Sequence, residues 1–145
     1  MANKVSSEPN VKQLLLECRE AIKTAYIPYS KFAVGAAVET IDGVIYRGCN
    51  IENAAYTGCI CAERTAMCKA VSDGITQFKA IAITSNMPAP DLIVPCGTCR
   101  QFIREFSTDL TIYLVRPDLT YEKTSLEALL PKSFGPQDLE KGVGK

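Results

Sequence analysis

A chain of 145 residues, 47% apolar and 22% charged, has the length and make-up of one globular domain spanning residues 1–145. Sixteen acids balance sixteen bases at a pI near 6.3, and no basic run exists, so neither a polyanion such as nucleic acid nor an anionic membrane surface is the expected partner. No stretch approaches the roughly eighteen apolar residues of a membrane span, and the N-terminus lacks the apolar core of an export signal, which makes the cytoplasm the expected compartment.

Residues 1–9 are polar and read as a mobile tail. Asn10 is then a helix cap with Gln13 three residues on, and apolar residues at 11, 14, 15, 18, 22 and 25 keep helical spacing as far as Tyr26. Pro28 breaks the pattern. Strands are expected over 32–39 and 44–47, joined by Ile41-Asp42-Gly43 into an antiparallel hairpin. Residues 48–58 lack periodicity and lead into a helix that begins at Cys61 and ends near Ser72-Asp73-Gly74.

The apolar run 80–84 suits a strand buried on both faces, and a proline-rich loop then delivers the chain to Pro95. A helix over 96–106 and a buried strand over 110–115 follow. The linker Arg116-Pro117-Asp118-Leu119 is too short for a parallel crossover, so residues 121–123 should return antiparallel. Thr124 and Glu127 offer a capping box for a short helix stopped by Pro131, and a polar tail closes the chain. These elements imply an α/β fold with one mixed five-stranded sheet, helices on both faces and the last two strands antiparallel.

Seven cysteines without an export signal point to metal binding or catalysis rather than disulfides. Histidine is absent, which removes the commonest general base and zinc ligand together. Cys61 and the pair Cys96 and Cys99 supply three thiolates, and catalytic zinc keeps three protein ligands with one corner left to solvent. Both clusters open helices, whose N-terminal amides favour thiolate over thiol. Glu63, two residues past Cys61, is placed to exchange protons with a water at the metal. Arg64 is placed to donate to the sulfurs and offset their negative charge.

Cys61-Ala62-Glu63-Arg64 followed by Pro95-Cys96-Gly97-Thr98-Cys99-Arg100-Gln101 resembles the zinc-dependent cytidine deaminases. The likeness continues through residues 28–37, 48–54 and 129–136, and it is greatest to the small, three-cysteine, homotetrameric branch. It implies a three-layer cytidine deaminase-like fold and one Zn2+ per subunit on Cys61, Cys96 and Cys99, with Glu63 as proton shuttle. By the same likeness Asn50 and Glu52 grip the ribose, Phe32 lies against the base, and Ala54, Tyr56 and Phe134 line the pocket from neighbouring subunits. The activity implied is hydrolysis of free cytidine and deoxycytidine to uridine and deoxyuridine plus ammonia, a step of pyrimidine salvage. Glu52 favours a free nucleoside, because its charge would repel a phosphate on the sugar.

Other readings stay open on sequence alone. Cys59 could complete a four-cysteine structural zinc, although a one-residue gap to Cys61 is short for that purpose. Cys18, Cys49 and Cys68 read as small core side chains. The same metal machinery could serve a nucleotide, a nucleobase or a nucleoside antibiotic, and a non-catalytic zinc module would need basic or aromatic surface that the sequence does not supply.

Overall fold

The computed structural model of this protein describes residues 2–3 and 9–144. Alternation along three central strands decides the architecture: β2 (Val34–Thr40), β4 (Phe78–Ser85) and β5 (Thr111–Val115). Successive side chains of a strand point to opposite faces. Ala36, Val38, Ile81, Ile83, Ile112 and Leu114 pack with Ala62, Ala66 and Met67 of α2 (Ala62–Ser72) and Ile103 of α3 (Gly97–Arg104). Ala37, Ala80, Ala82, Tyr113 and Val115 pack instead with Leu14, Leu15 and Cys18 of α1 (Pro9–Ala21). Both faces are therefore covered, and each fully buried isoleucine among these contributes about 1.5–3 kcal/mol.

The sheet order is β1 (Ala2–Asn3), β6 (Tyr121–Ser125), β5, β4, β2 and β3 (Ile45–Cys49). The hairpin of β2 with β3 is antiparallel, β4 and β5 are parallel, and β6 returns antiparallel to β5, as the short connection over 116–120 requires. A two-residue strand, β1 (Ala2–Asn3), extends the five expected strands by pairing with Tyr121 and Glu122. Of the tail expected over 1–9, β1 is thus paired and Pro9 opens α1, while the remainder lies outside the described residues.

Local chemistry moves several boundaries. The first helix begins at Pro9 rather than behind an Asn10 cap, because proline's fixed φ and missing N–H suit a first turn. It tightens after Ala21 into a 3-10 turn, Ile22–Thr24, so that the Tyr26 backbone can pair with the carbonyl of Asn50 and the amide of Glu52. The short helix α4 (Leu126–Leu129) is capped by Ser125, whose hydroxyl accepts from Ala128 N at 3.2 Å, and not by Thr124. The expected polar tail contains α5 (Pro136–Gly142), with the Asp138 carboxylate accepting from Gly135 N at 2.9 Å.

Register brings the site segments to one end of the sheet. Val34 pairs with Ser85, Gly35 with Cys49 and Thr84 with Val115. The segments before β2, after β3, after β4 and after β5 therefore all leave the sheet together. Helix α2 lies close on β3 because Gly48 has no side chain: a Cβ there would stand 2.3 Å from both Ala62 O and Ala66 N.

Candidate active site

Cys61 and Cys96 occupy the N-cap positions of α2 and α3, and Cys99 sits in the first turn of α3. The three sulfurs lie within 4.8 Å of one another, with Cys61 Sγ and Cys96 Sγ 3.9 Å apart. Sulfurs each about 2.3 Å from a tetrahedral zinc are separated by about 3.8 Å, so this donor set has the spacing and softness that zinc requires. All seven cysteines are unbridged. Cys59 stays outside the cluster, its sulfur accepting from Asn53 N at 3.3 Å, which leaves the four-cysteine reading without its fourth ligand. Cys18 is buried as expected and Cys49 half-buried, but Cys68 is exposed on α2 and is not a core residue.

The thiols share their protons unevenly. The bond from Cys99, with help from the Arg64 guanidinium, brings the Cys61 thiol down to about 5, and the same bond together with burial pushes Cys99 up. Arg64 Nη2 donates to Cys61 Sγ at 3.3 Å, while its Nε is buried without a hydrogen-bond partner. Burial works against its charge, yet the bonds to Cys61 and Cys99 outweigh that cost and hold it firmly protonated. Glu63 is 4% exposed, and burial raises its carboxyl above the ordinary range, with the negative charge of Cys61 acting in the same direction. A buried carboxyl beside a thiolate binds a proton more tightly than an exposed one, which suits it to accept a proton and pass it to a nearby base.

Asn50 and Phe32 are joined directly. Asn50 Oδ1 accepts from Val34 N at 2.9 Å and its Nδ2 donates to Phe32 O at 2.8 Å, so one side-chain amide substitutes for a strand partner just before β2. That is why β2 begins at Val34 and not at residue 32. Glu52 Oε1 accepts from Tyr29 N at 3.0 Å and Ser30 N at 3.1 Å, and the Ser30 hydroxyl and amide, followed by Tyr29 and the charge of Lys31, hold its carboxyl below the usual range. Glu52 lines a shallow pocket of about 330 Å³ with Tyr29, Ser30, Tyr56 and Cys59. Tyr56 adopts a φ of 56° and Lys31 one of 59°, conformations that cost a non-glycine residue about 1–3 kcal/mol and cluster where function constrains the backbone.

The remaining expected residues sit on the surface. Ala54 lies in the exposed turn before Tyr56, and Tyr56 and Phe134 are 67% and 58% exposed. Phe134 is held against α3, its carbonyl accepting from Gln101 Nε2 at 2.9 Å. Sequence reasoning gave no role to Tyr29, Ser30 or Lys31, although they fall inside the quoted motif. Nor did it assign Arg104, which is 8% exposed and donates to Ser133 Oγ at 2.7 Å, with Gly135 flat against its guanidinium.

Comparison with known proteins agrees with this geometry. The family model for the cytidine and deoxycytidylate deaminase zinc-binding region matches residues 9–115. The chain is 48% identical over 131 residues to the cytidine deaminase of Sporosarcina psychrophila, covering 90% of this chain and 95% of the relative. It is 40% identical to that of Halalkalibacterium halodurans over 129 residues, 88% of this chain and 96% of the other. A crystal structure of cytidine deaminase from Burkholderia pseudomallei superimposes with a TM-score of 0.80 at 41% identity, covering 84% of this chain and 97% of that one. Among the described residues no helix is long and apolar enough to cross a membrane. Three convergent thiols spaced for zinc, a family model spanning most of the chain and relatives matched over nearly their full length lead to one conclusion: this enzyme belongs to the zinc-dependent cytidine deaminase family.

Proposed function

We propose that the enzyme converts free cytidine and deoxycytidine to uridine and deoxyuridine with release of ammonia, as a cytoplasmic step of pyrimidine salvage. The observation that carries this reading is Glu63, buried beside Cys61 and Cys99 with its carboxyl raised above the ordinary range, which makes it a stronger base once ionised. In it, Cys61, Cys96 and Cys99 hold one zinc ion per subunit, and the whole chain works as a single domain. Bound zinc supplies Lewis-acid activation of the attacking water. Glu63, ionised when it acts as base, accepts one proton of that water, delivers it to N3 of the pyrimidine as C4 becomes tetrahedral, and then carries the proton of the new C4 hydroxyl to the departing amine. Arg64 holds the Cys61 sulfur in its charged form from the side.

Asn50 and Glu52 bind the sugar hydroxyls in this scheme. Asn50 Oδ1 has a second lone pair beyond the one taken by Val34 N, and the Glu52 carboxylate has acceptor capacity beyond its bonds to Tyr29 and Ser30, while both side chains are already fixed by backbone partners. Phe32 presents its ring to the base. Ala54, Tyr56 and Phe134 complete the pocket from neighbouring copies in a homotetramer, which gives a reason for aromatic rings as exposed as Tyr56 and Phe134 on one chain. Arg47, a cation close in sequence to Asn50, is ion-paired with Glu17 of α1, which disfavours a phosphate-bearing substrate. Lys31 is the observation favouring a nucleotide, since its charge reaches Glu52.

The test follows the loss of ultraviolet absorbance with cytidine, deoxycytidine and their monophosphates. Turnover is expected with the two nucleosides, and faster turnover of the monophosphates refutes the assignment. The Glu63→Gln variant should keep one zinc per chain while losing about 10²–10⁴-fold in kcat. Wild-type turnover in that variant shows that another group moves the proton.

A further inference from the structure

The two limbs of the thiol cluster are fixed in different ways. Both Cys61 and Cys96 cap helices, but the helix of Cys61 is seated on the sheet through Gly48, whereas Cys96 is exposed and follows residues 86–95, which form no helix or strand. Pro88, Pro90 and Pro95 supply no N–H in that stretch, and its internal backbone bond runs from Asp91 N to Pro88 O at 3.0 Å.

Carbonyls at the end of β4 and along the stretch, those of Ser85, Pro90 and Pro95, are instead taken by guanidinium groups. Arg19 of α1 donates to Ser85 O at 2.8 Å, and also to Thr84 Oγ1 at 3.0 Å and Asn86 Oδ1 at 3.1 Å. Arg116, directly after β5, donates through Nε and Nη2 to Pro90 O at 3.1 and 3.0 Å. Arg100 of α3 donates to Pro95 O at 2.7 Å and ties the same turn to Leu129 O at 2.8 Å. Arg116 is only 7% exposed, and its acidic neighbour, Glu122, stands 3.8 Å away. A buried guanidinium therefore directs two of its donors at one loop carbonyl, and charge-assisted bonds of this kind are stronger than neutral ones.

We propose that Arg116 and Arg19 are positioning residues for zinc retention, acting through the carbonyls of Pro90 and Ser85 to fix the approach of Cys96 to Cys61 and Cys99. This rests on the reading of Cys96 as a zinc ligand. With the loop pinned, Cys96 returns to the same place after each transient opening of the centre. With the loop released, the chain before Cys96 gains conformations in which its sulfur is withdrawn, and the ion escapes faster.

The test uses zinc-loaded enzyme and a chromophoric chelator that reports the rate of zinc release, with melting of the zinc-free protein measured alongside. Arg116→Gln is expected to release zinc roughly tenfold faster, equivalent to about 1.4 kcal/mol, with little change in zinc-free melting. Arg116→Lys should recover part of the retention, since one ammonium can serve one carbonyl. Glu122→Gln should match wild type. Arg19→Gln should release faster as well, and decides the matter if Arg116→Gln does not fold. Wild-type release rates in both arginine variants, or lowered melting without faster release, overturn the proposal. Acceleration by Glu122→Gln equal to that of Arg116→Gln also overturns it, because the ion pair would then be the active contact. A Cys96→Ser variant separates the two levels of the argument: full zinc content there refutes the ligand assignment itself, whereas lost zinc there with unchanged arginine variants refutes only the clamp.

Discussion

Adding one methyl group at Gly48 should disable the zinc centre from the far side of α2. The new Cβ would lie 2.3 Å from Ala62 O, 2.3 Å from Ala66 N and 2.9 Å from Ala66 Cα, all backbone atoms that cannot rotate away. Ordinary contact needs about 3.5 Å, so α2 must retreat by about 1 Å. Overpacking of this kind costs about 1–3 kcal/mol, or roughly 3–9 °C of melting temperature for a domain of this size. Cys61 caps α2 and moves with it, while Cys96 and Cys99 belong to α3 and stay behind. Ligand distances in a working site hold within about 0.2 Å, so a displacement several times larger should lower zinc affinity by tenfold or more. Gly48→Ala should therefore fold, melt earlier, lose zinc on dialysis against a chelator, and turn over cytidine in proportion to the zinc it keeps. Full zinc occupancy after dialysis together with wild-type turnover would refute the claim that the seating of α2 sets the thiol geometry.

Arg64→Gln should lower turnover more than zinc content, because it removes the cation that donates to the Cys61 sulfur and spares the ligands; comparing metal analysis with initial rates checks this, and an unchanged rate speaks against the role. In the native enzyme a maleimide should label Cys68 quickly and leave Cys18 untouched, since Cys18 is fully enclosed and burial raises its thiol far above the usual range; mass spectrometry of the labelled peptides reads the result. Glu52 is held ionised by the Ser30 hydroxyl and amide and the Tyr29 amide, so its folded pKa lies below the unfolded one. Its contribution is then complete above the ordinary carboxylate range and disappears as pH falls through the depressed value. Glu52→Gln should accordingly raise KM for cytidine at neutral pH, whereas acidification of the wild type should raise KM through this group only once the pH falls below the ordinary glutamate range; an equal KM for the Gln variant and the wild type at neutral pH would contradict this.

Short-range chemistry was legible in the sequence, and long-range contacts were not. Cys-x-Glu and Cys-x-x-Cys at helix starts are two compact pieces, each spanning only a few residues, and the fold had only to bring the two together. The antiparallel return of β6 was equally readable, because so short a linker leaves no room for a parallel crossover. The double bond of Asn50 depends on how the chain before β2 lies beside the end of β3, which no local pattern encodes. The bonds of Arg19 and Arg116 span 66 and 26 residues and were invisible for the same reason. Helix α5 was missed because Gly135-Pro136 reads as a breaker, although proline at the first helical position starts a helix as readily as it ends one.

The amide of Asn50 has a consequence for redesign. One group shapes the chain that carries the Phe32 ring and also faces the proposed sugar site, so the two halves of the nucleoside are not independently tunable at that position. A substitution chosen to alter ribose selectivity would loosen the aromatic wall at the same time. Variant libraries aimed at new sugars should keep this asparagine and diversify its neighbours.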